Sequence, residues 1–257
     1  DIDHVLTTRY VFNDSTMRSK REVIKAAFKR TPGVVSATTM WPGPGMESPQ
    51  RSVFREEDPE LEFHMQILGV DPDFLETYGI DLIAGRNVGP DFVRKNSAEF
   101  VLNETAVQRL GWGEFGPEGA IGKRLRAGNR RGTVIGVVKD FHYSSFRDAI
   151  PPLVMMNWSR IALGIRIRPD RVDETLAAVD QTWREFFSQP LQLKFVDQMW
   201  GWNLWRERAQ SRAYALLSWT AVLLAGMGVF GMAMYETEQR RREIGVRKVL
   251  GATVSGI

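Results

Sequence analysis

Apolar positions recur at helical spacing over residues 18–31, where Val23, Ile24, Ala27 and Phe28 share a face and Thr31-Pro32-Gly33 supplies the stop. The period then becomes that of a strand over Val34–Trp41, and the Pro/Gly-rich connection WPGPGMESPQ at 41–50 marks a boundary. Beyond it the pattern predicts a strand over 61–70, a short helix in DPDFLETYG capped by Asp71 or Asp73, a strand over 98–102 and a helix over 104–110. A glycine-rich loop follows at 111–122, then strands over 123–127 and 133–141. Pro151-Pro152 breaks the chain again before strands at 153–157 and 161–167, a helix at 172–187 and a strand at 191–196. The closing order of strands and helix echoes the opening helix and strand. The expected fold class is therefore α+β, in two lobes of mixed sheets and helices: 1–42 with 151–198 make one lobe, and 43–150 is inserted as the other.

Residues 214–235 break every amphipathic pattern. The run YALLSWTAVLLAGMGVFGMAMY carries no charge over 22 residues, and a helix crossing the hydrocarbon core needs about 20. Its polar members, Ser218 and Thr220, can bond back to their own helix. Gly226, Gly228 and Gly231 offer a close approach to a neighbouring helix, although no spacing is a strict GxxxG. Upstream, Trp202, Trp205 and Ala209 fall on one helical face, so 199–213 reads as a stalk helix continuous with the span.

Five basic residues follow the span within fifteen positions and three precede it within fifteen, which places 236–257 in the cytoplasm and 1–213 outside it. Glu236/Arg240, Glu238/Arg242 and Glu243/Arg247 are i,i+4 pairs in the favourable order, so the helix is expected to run past the membrane surface. Val246, Val249, Leu250, Val254 and Ile257 then form an apolar stripe opposite Arg247 and Lys248. Two readings fit that stripe equally, a membrane-surface helix and a partner-docking helix.

Composition changes the picture by exclusion. The chain has no cysteine and three histidines, so thiolate chemistry is absent and neither a metal nor a cofactor is expected. Asp71, Asp73 and Glu76 lack the spacing of a calcium loop. A net charge of +3 arises from interspersed Lys, Arg, Asp and Glu, and no nucleic-acid partner is expected. The chain begins with Asp1 without a signal-peptide pattern and ends mid-pattern, as expected of a piece of a longer protein.

Candidate chemistry dissolves on inspection. KDFHYSSF gathers Asp140, His142, Ser144 and Ser145 but has no nucleophile elbow, and reads as a polar strand end. GWGEFG follows a helix instead of a strand and runs into Pro117. GPEGAIGKR has Pro117 where a P-loop needs its first glycine and Arg124 where it needs Ser or Thr. No catalytic residue is expected in this chain.

The block YETEQRRREIGVRKVLGAT after the span resembles the FtsX-like and MacB-like permease family of ATP-binding cassette transporters, through Glu238, Arg240, Glu243, Ile244, Gly245, Arg247, Lys248, Leu250, Gly251 and Ala252. VLNETAVQRLGW, IGKRL and VIGVVKDFHYSSFRDAIPPLV resemble the outer domain of the same permeases. The resemblance implies a bacterial inner-membrane permease subunit that transmits the motion of a separate ATPase to an extracytoplasmic domain. It also implies a second permease copy or repeat, a phospholipid membrane and an extracytoplasmic accessory protein as partners. Glu243, Gly245, Val246, Arg247, Lys248, Val249 and Leu250 are then the expected ATPase-coupling residues, and Gly226, Gly228 and Gly231 the packing residues of the span. The alternative is an extracytoplasmic sensor or ligand-binding domain tethered by one span; a membrane-anchored hydrolase using His142 and Ser144 is a third class.

Overall fold

The computed structural model of the chain describes residues 4–8, 15–46, 48–89, 98–143, 149–157 and 162–249. They fall into two units, Asp1–Gly201 and Trp202–Ile257. The first begins with β1 (Val5–Thr8), α1 (Ser15–Arg30), β2 (Val34–Trp41), β3 (Gln50–Arg55), β4 (Asp58–Val70) and α2 (Phe74–Tyr78). It continues through β5 (Leu82–Gly85), β6 (Ala98–Asn103), α3 (Glu104–Arg109), β7 (Arg124–Ala127) and β8 (Arg130–Val138). Then come β9 (Leu153–Met156), β10 (Ala162–Ile167), α4 (Val172–Phe186) and β11 (Leu193–Phe195), followed by α5 (Val196–Val249).

Both ends of this unit build one sheet. Strands pair antiparallel in the order β11-β1-β10-β2, and with α1 and α4 they form the split β-α-β-β-α-β arrangement. Alternation sorts their side chains by face: Leu163, Ile165 and Ile167 of β10 pack with Ile24 and Phe28 of α1 and Val179 and Trp183 of α4. Trp183 stacks on Phe187 at 4.0 Å. The expected α+β class and the joining of the two chain ends in one sheet are both present.

The chain between β2 and β10 closes a second structure. β4 pairs with β3, β3 with β7, β7 with β8, β8 with β6 and β6 with β9. β9 then returns to β4 as a parallel pair, from Gln66↔Leu153 to Gly69↔Met156. Six strands thus form a ring, and the edges that β8 and β4 extend beyond it are taken by β5 and by β2. Its interior takes one residue or more from each strand, including Val53, Met65, Phe100, Leu125, Val134 and Val154, with Ala106 and Val107 of α3 and Leu110 at its C-cap in the same cluster. The residues alternating with these, Leu68, Val101, Val138 and Met155, join Val5, Met40, Phe74, Tyr143 and Val196 in a cluster between the ring and the open sheet.

Gly132 shows how tightly the ring closes. A Cβ there would lie 1.8 Å from the carbonyl oxygen of Ala98, its register partner on β6. Gly132→Ala is expected to force the two strands apart and cost about 1–3 kcal/mol, measured by chemical unfolding.

Candidate functional site

α5 runs 54 residues, from Val196 to Val249. β11 ends at Phe195 and the helix begins at the next residue, with no linker. That first residue, Val196, is fully buried in the cluster between ring and sheet. Within the helix, Tyr214–Val246 is long and apolar enough to cross a membrane, and none of its most apolar window is buried. The 22 uncharged residues rise roughly 33 Å at about 1.5 Å each, close to the ~30 Å hydrocarbon core. Thr220 Oγ1 donates to the Leu216 carbonyl at 2.9 Å and Thr237 Oγ1 to that of Ala233 at 2.7 Å, so both hydroxyls are satisfied within the helix.

Gly226, Gly228 and Gly231 have open space where a Cβ would sit, with no heavy atom within 4 Å beyond the neighbouring backbone of their own helix. The helix passes Gly245 without interruption and ends at Val249, so Leu250 lies outside the described residues. Val246 is exposed. Glu243, Arg247, Lys248 and Val249 are helical in backbone, and their side chains lie outside those described. One detail departs from expectation. Among the described residues, no ion pair joins Glu236 to Arg240 or Glu238 to Arg242. Exposed i,i+4 pairs contribute only about 0.3–0.5 kcal/mol, and the helix continues without their closing.

At the polar strand end, Asp140 is committed to architecture. Its carboxylate accepts from Asn103 Nδ2 at 2.7 Å, Thr105 N at 3.0 Å and Thr105 Oγ1 at 2.7 Å, tying β8 to the start of α3. Asn103 in turn caps α3 by accepting from Ala106 N at 3.0 Å. Tyr143 is buried and donates to the Pro42 carbonyl, while Ser144 and Ser145 lie outside the described residues. The glycine motif folds as two 3-10 turns, Gly113–Phe115 and Pro117–Ala120.

The feature that sequence reasoning missed is a buried ion cluster. Lys25 Nζ lies 3.1 Å from Asp71 Oδ2, 2.9 Å from Asp73 Oδ2 and 3.1 Å from Glu22 Oε2. Asp71 is fully buried and also accepts from Thr38 Oγ1 at 2.6 Å, Thr39 N at 2.9 Å and Asp73 N at 3.0 Å. Asp73 occupies the N-cap position of α2 but makes no side-chain cap bond; Lys29 takes its other oxygen at 2.6 Å. At Asp73 the expected cap is thus replaced by pairing, because two lysines of α1 reach the same carboxylate; Asp71, the other expected cap, accepts the Asp73 amide where the helix begins. Burial alone would pull the Lys25 ammonium down, but the charge of Asp71 and hydrogen bonds to Asp73 and Glu22 hold it well above the usual lysine range. The available signal was the position of Lys25, next to Ile24 and three residues before Phe28 on the buried face of α1.

Together these features define a class: an α+β domain, part open sheet and part closed ring, followed by a helix with the length and composition of a membrane span. The chain belongs to the MacB-like periplasmic core domain family, whose model matches residues 3–183. It is 25% identical over 210 residues to the macrolide export ATP-binding/permease protein MacB of Chromobacterium violaceum, a match covering 75% of this chain and 31% of that protein. The chain therefore spans about a third of the length of that relative. Among solved structures it is similar to the periplasmic region of MacB from Actinobacillus actinomycetemcomitans, at 18% identity and TM-score 0.53, covering 77% of this chain and 91% of that one. The extracellular domain of the noncanonic ABC-type transporter YknZ from Gram-positive bacteria gives 13% identity and TM-score 0.50, covering 74% and 99%. At these identities the two structures establish the fold.

Proposed function

We propose that the chain is part of the permease subunit of an ABC transporter of the MacB/FtsX type, which transmits ATP-driven motion to an extracytoplasmic domain for export, release or signalling. Residues 1–213 lie outside the bacterial inner membrane, 1–42 with 151–198 as the membrane-proximal lobe and 43–150 as the inserted lobe. Residues 199–213 are the stalk, 214–235 the span and 236–257 the cytoplasmic coupling segment. ATP hydrolysis belongs to an ATPase partner, engaged through Glu243, Arg247 and Lys248 as polar anchors, Val246, Val249 and Leu250 as the packed face, and Gly245 within the continuous helix between them. A second permease copy packs on Gly226, Gly228 and Gly231, and an accessory protein engages the outer domain.

One observation carries this reading: β11 passes into α5 with no residue between them. Displacement of the helix loads a strand paired to β1 and a buried anchor, Val196, with no loop to absorb it. Membership in the periplasmic core domain family supports the transporter assignment.

The test uses the assembled transporter in liposomes. Insertion of two glycines after Phe195, and separately Glu243→Lys with Arg247→Glu, are expected to reduce transport-coupled ATPase stimulation about tenfold or more, the scale of a coupling free energy of 1–3 kcal/mol. The outer domain should stay folded in both. Undiminished coupling in both variants sinks the mechanism, and purification of the parent protein with no ATPase favours the tethered sensor.

A further inference from the structure

One cavity outside the transmission path has the lining of a ligand site. It measures about 280 Å³ and lies where β3, its turn into β4, and the β7–β8 hairpin meet. Phe54 and Pro59 supply its apolar lining, and Arg55, Arg126 and Arg131 its basic lining. Glu56, the acid among the lining residues, is held by Arg124 at 2.5 Å.

The strand register makes this charge deliberate. Phe54 faces Arg126 across the β3–β7 pair, and Arg126 faces Arg131 across β7–β8. The side chains of one cross-strand row therefore read Phe, Arg, Arg. Like charges directly opposite in an antiparallel pair are destabilising, yet among the described residues neither Arg126 nor Arg131 has a carboxylate within ion-pair distance. Glu62, the register partner of Phe54 on β4, pairs with neither. Arg126 lies over the Phe54 ring at 4.3 Å, which holds its guanidinium in one orientation and leaves its edge donors free. The register of β3 with β4 shifts between Phe54 and Arg55, a bulge of the kind that re-aims a side chain. Arg55 spends its terminal nitrogens on the Leu110 carbonyl at 3.3 Å and Asp58 at 3.1 Å, while its buried Nε has no partner.

We propose that this cavity binds an anionic group, a carboxylate or phosphate carried on a flat apolar body: the Arg126–Arg131 pair takes the anion and Phe54 and Pro59 take the body, while the Leu125 side chain points into the ring core. Two guanidinium forks in one row match the planar, bidentate geometry of such an oxyanion. The volume suits a group the size of a substituted ring. The site stands independently of the membrane assignment and of the coupling mechanism.

Isothermal titration of the full chain in non-ionic detergent with phenyl phosphate and with benzoate tests it. Saturable binding of either probe, weakened about tenfold or more in Arg126→Gln/Arg131→Gln, supports the site, and the order of affinity of the two probes names the anion. Binding should fall as sodium chloride is raised, since Arg126 is only half-buried and Arg131 is exposed. Arg51→Gln, a basic change elsewhere on β3, should leave it unaltered, and the unfolding midpoint of the double variant should match that of the unaltered chain. No saturable binding of either probe, equal affinity in the double variant, or equally tight binding of inorganic phosphate or benzylamine overturns the proposal.

Discussion

Replacing Lys25 with methionine is expected to lower the unfolding midpoint of the outer domain by about 6–20 °C. Removing one partner of a buried pair costs about 3–5 kcal/mol, and for a domain of this size each kcal/mol moves the midpoint by about 2–4 °C. The reason is Asp71, fully buried and left without its cation. Its remaining donors, Thr38, Thr39 and the Asp73 amide, are dipoles and do not neutralise a charge. Lys25→Met combined with Asp71→Asn removes both charges and should recover more than half of the loss. Differential scanning calorimetry reads all three proteins. A shift below about 2 °C for the single variant would mean that water already solvates the cluster.

The same cluster sets a pH window. Burial works against the Asp73 carboxylate, but hydrogen bonds to Lys29 and Lys25 hold it below the usual carboxylate range; Glu22 is likewise lowered by Lys25. A lowered folded pKa gives stability that is complete above about pH 5 and is lost as pH falls through the folded value, below the ordinary ~3.9 to 4.3. Lys25 is raised, so its contribution is complete below about pH 10 and is lost only as pH rises through its folded value. The cluster's contribution is therefore flat across neutral pH and fails first in acid. Glu22, with a side chain 63% exposed, adds least because solvent screens it.

How much of this was legible follows from the range of each interaction. β2 is expected at Val34–Trp41 and lies there, and α1 and α4 begin within three residues of their expected starts, because apolar period acts locally, as does the Thr31-Pro32-Gly33 stop between α1 and β2. β4 begins at Asp58, ahead of the expected 61, because its first residues pair with β3 at an exposed hairpin where hydrophobicity gives no cue. β3, β5 and β1 were not anticipated. QRSVFR and LIAG are strands only because β4, β7 and β8 present edges to them. The ring closes through β9 on β4, a parallel pairing between residues more than eighty positions apart, which no local period encodes. The candidate coupling segment was read from a specific motif, whereas the cavity row of Phe54, Arg126 and Arg131 depends on register between three strands.

Placing arginine at Leu224, the middle of the uncharged run, is expected to remove most of the chain from the membrane fraction. Thirteen large apolar side chains between Tyr214 and Tyr235 are at least 60% exposed, among them Leu216, Trp219, Leu223, Met227 and Phe230. Leaving them in water in place of an apolar surrounding costs about 1.5–3 kcal/mol each, on the order of 20 kcal/mol or more in sum. That exceeds the typical ~5–15 kcal/mol stability of a whole domain, so lipid or packed neighbouring helices must surround the segment. On the scale of helix insertion, which includes the cost of carrying the polar backbone into lipid, each leucine contributes only about −0.3 to −0.6 kcal/mol, so the net preference of the run is on the order of a few kcal/mol; a central arginine, about 3 kcal/mol against insertion relative to leucine, offsets most of it, roughly a hundredfold shift in the partition. Carbonate extraction of cells expressing the parent protein with only this span retained measures the shift, with Leu224→Ile as the control that should stay in the membrane. Equal membrane retention of the arginine and isoleucine variants would show that protein, not lipid, covers these residues, and the permease reading would lose its support.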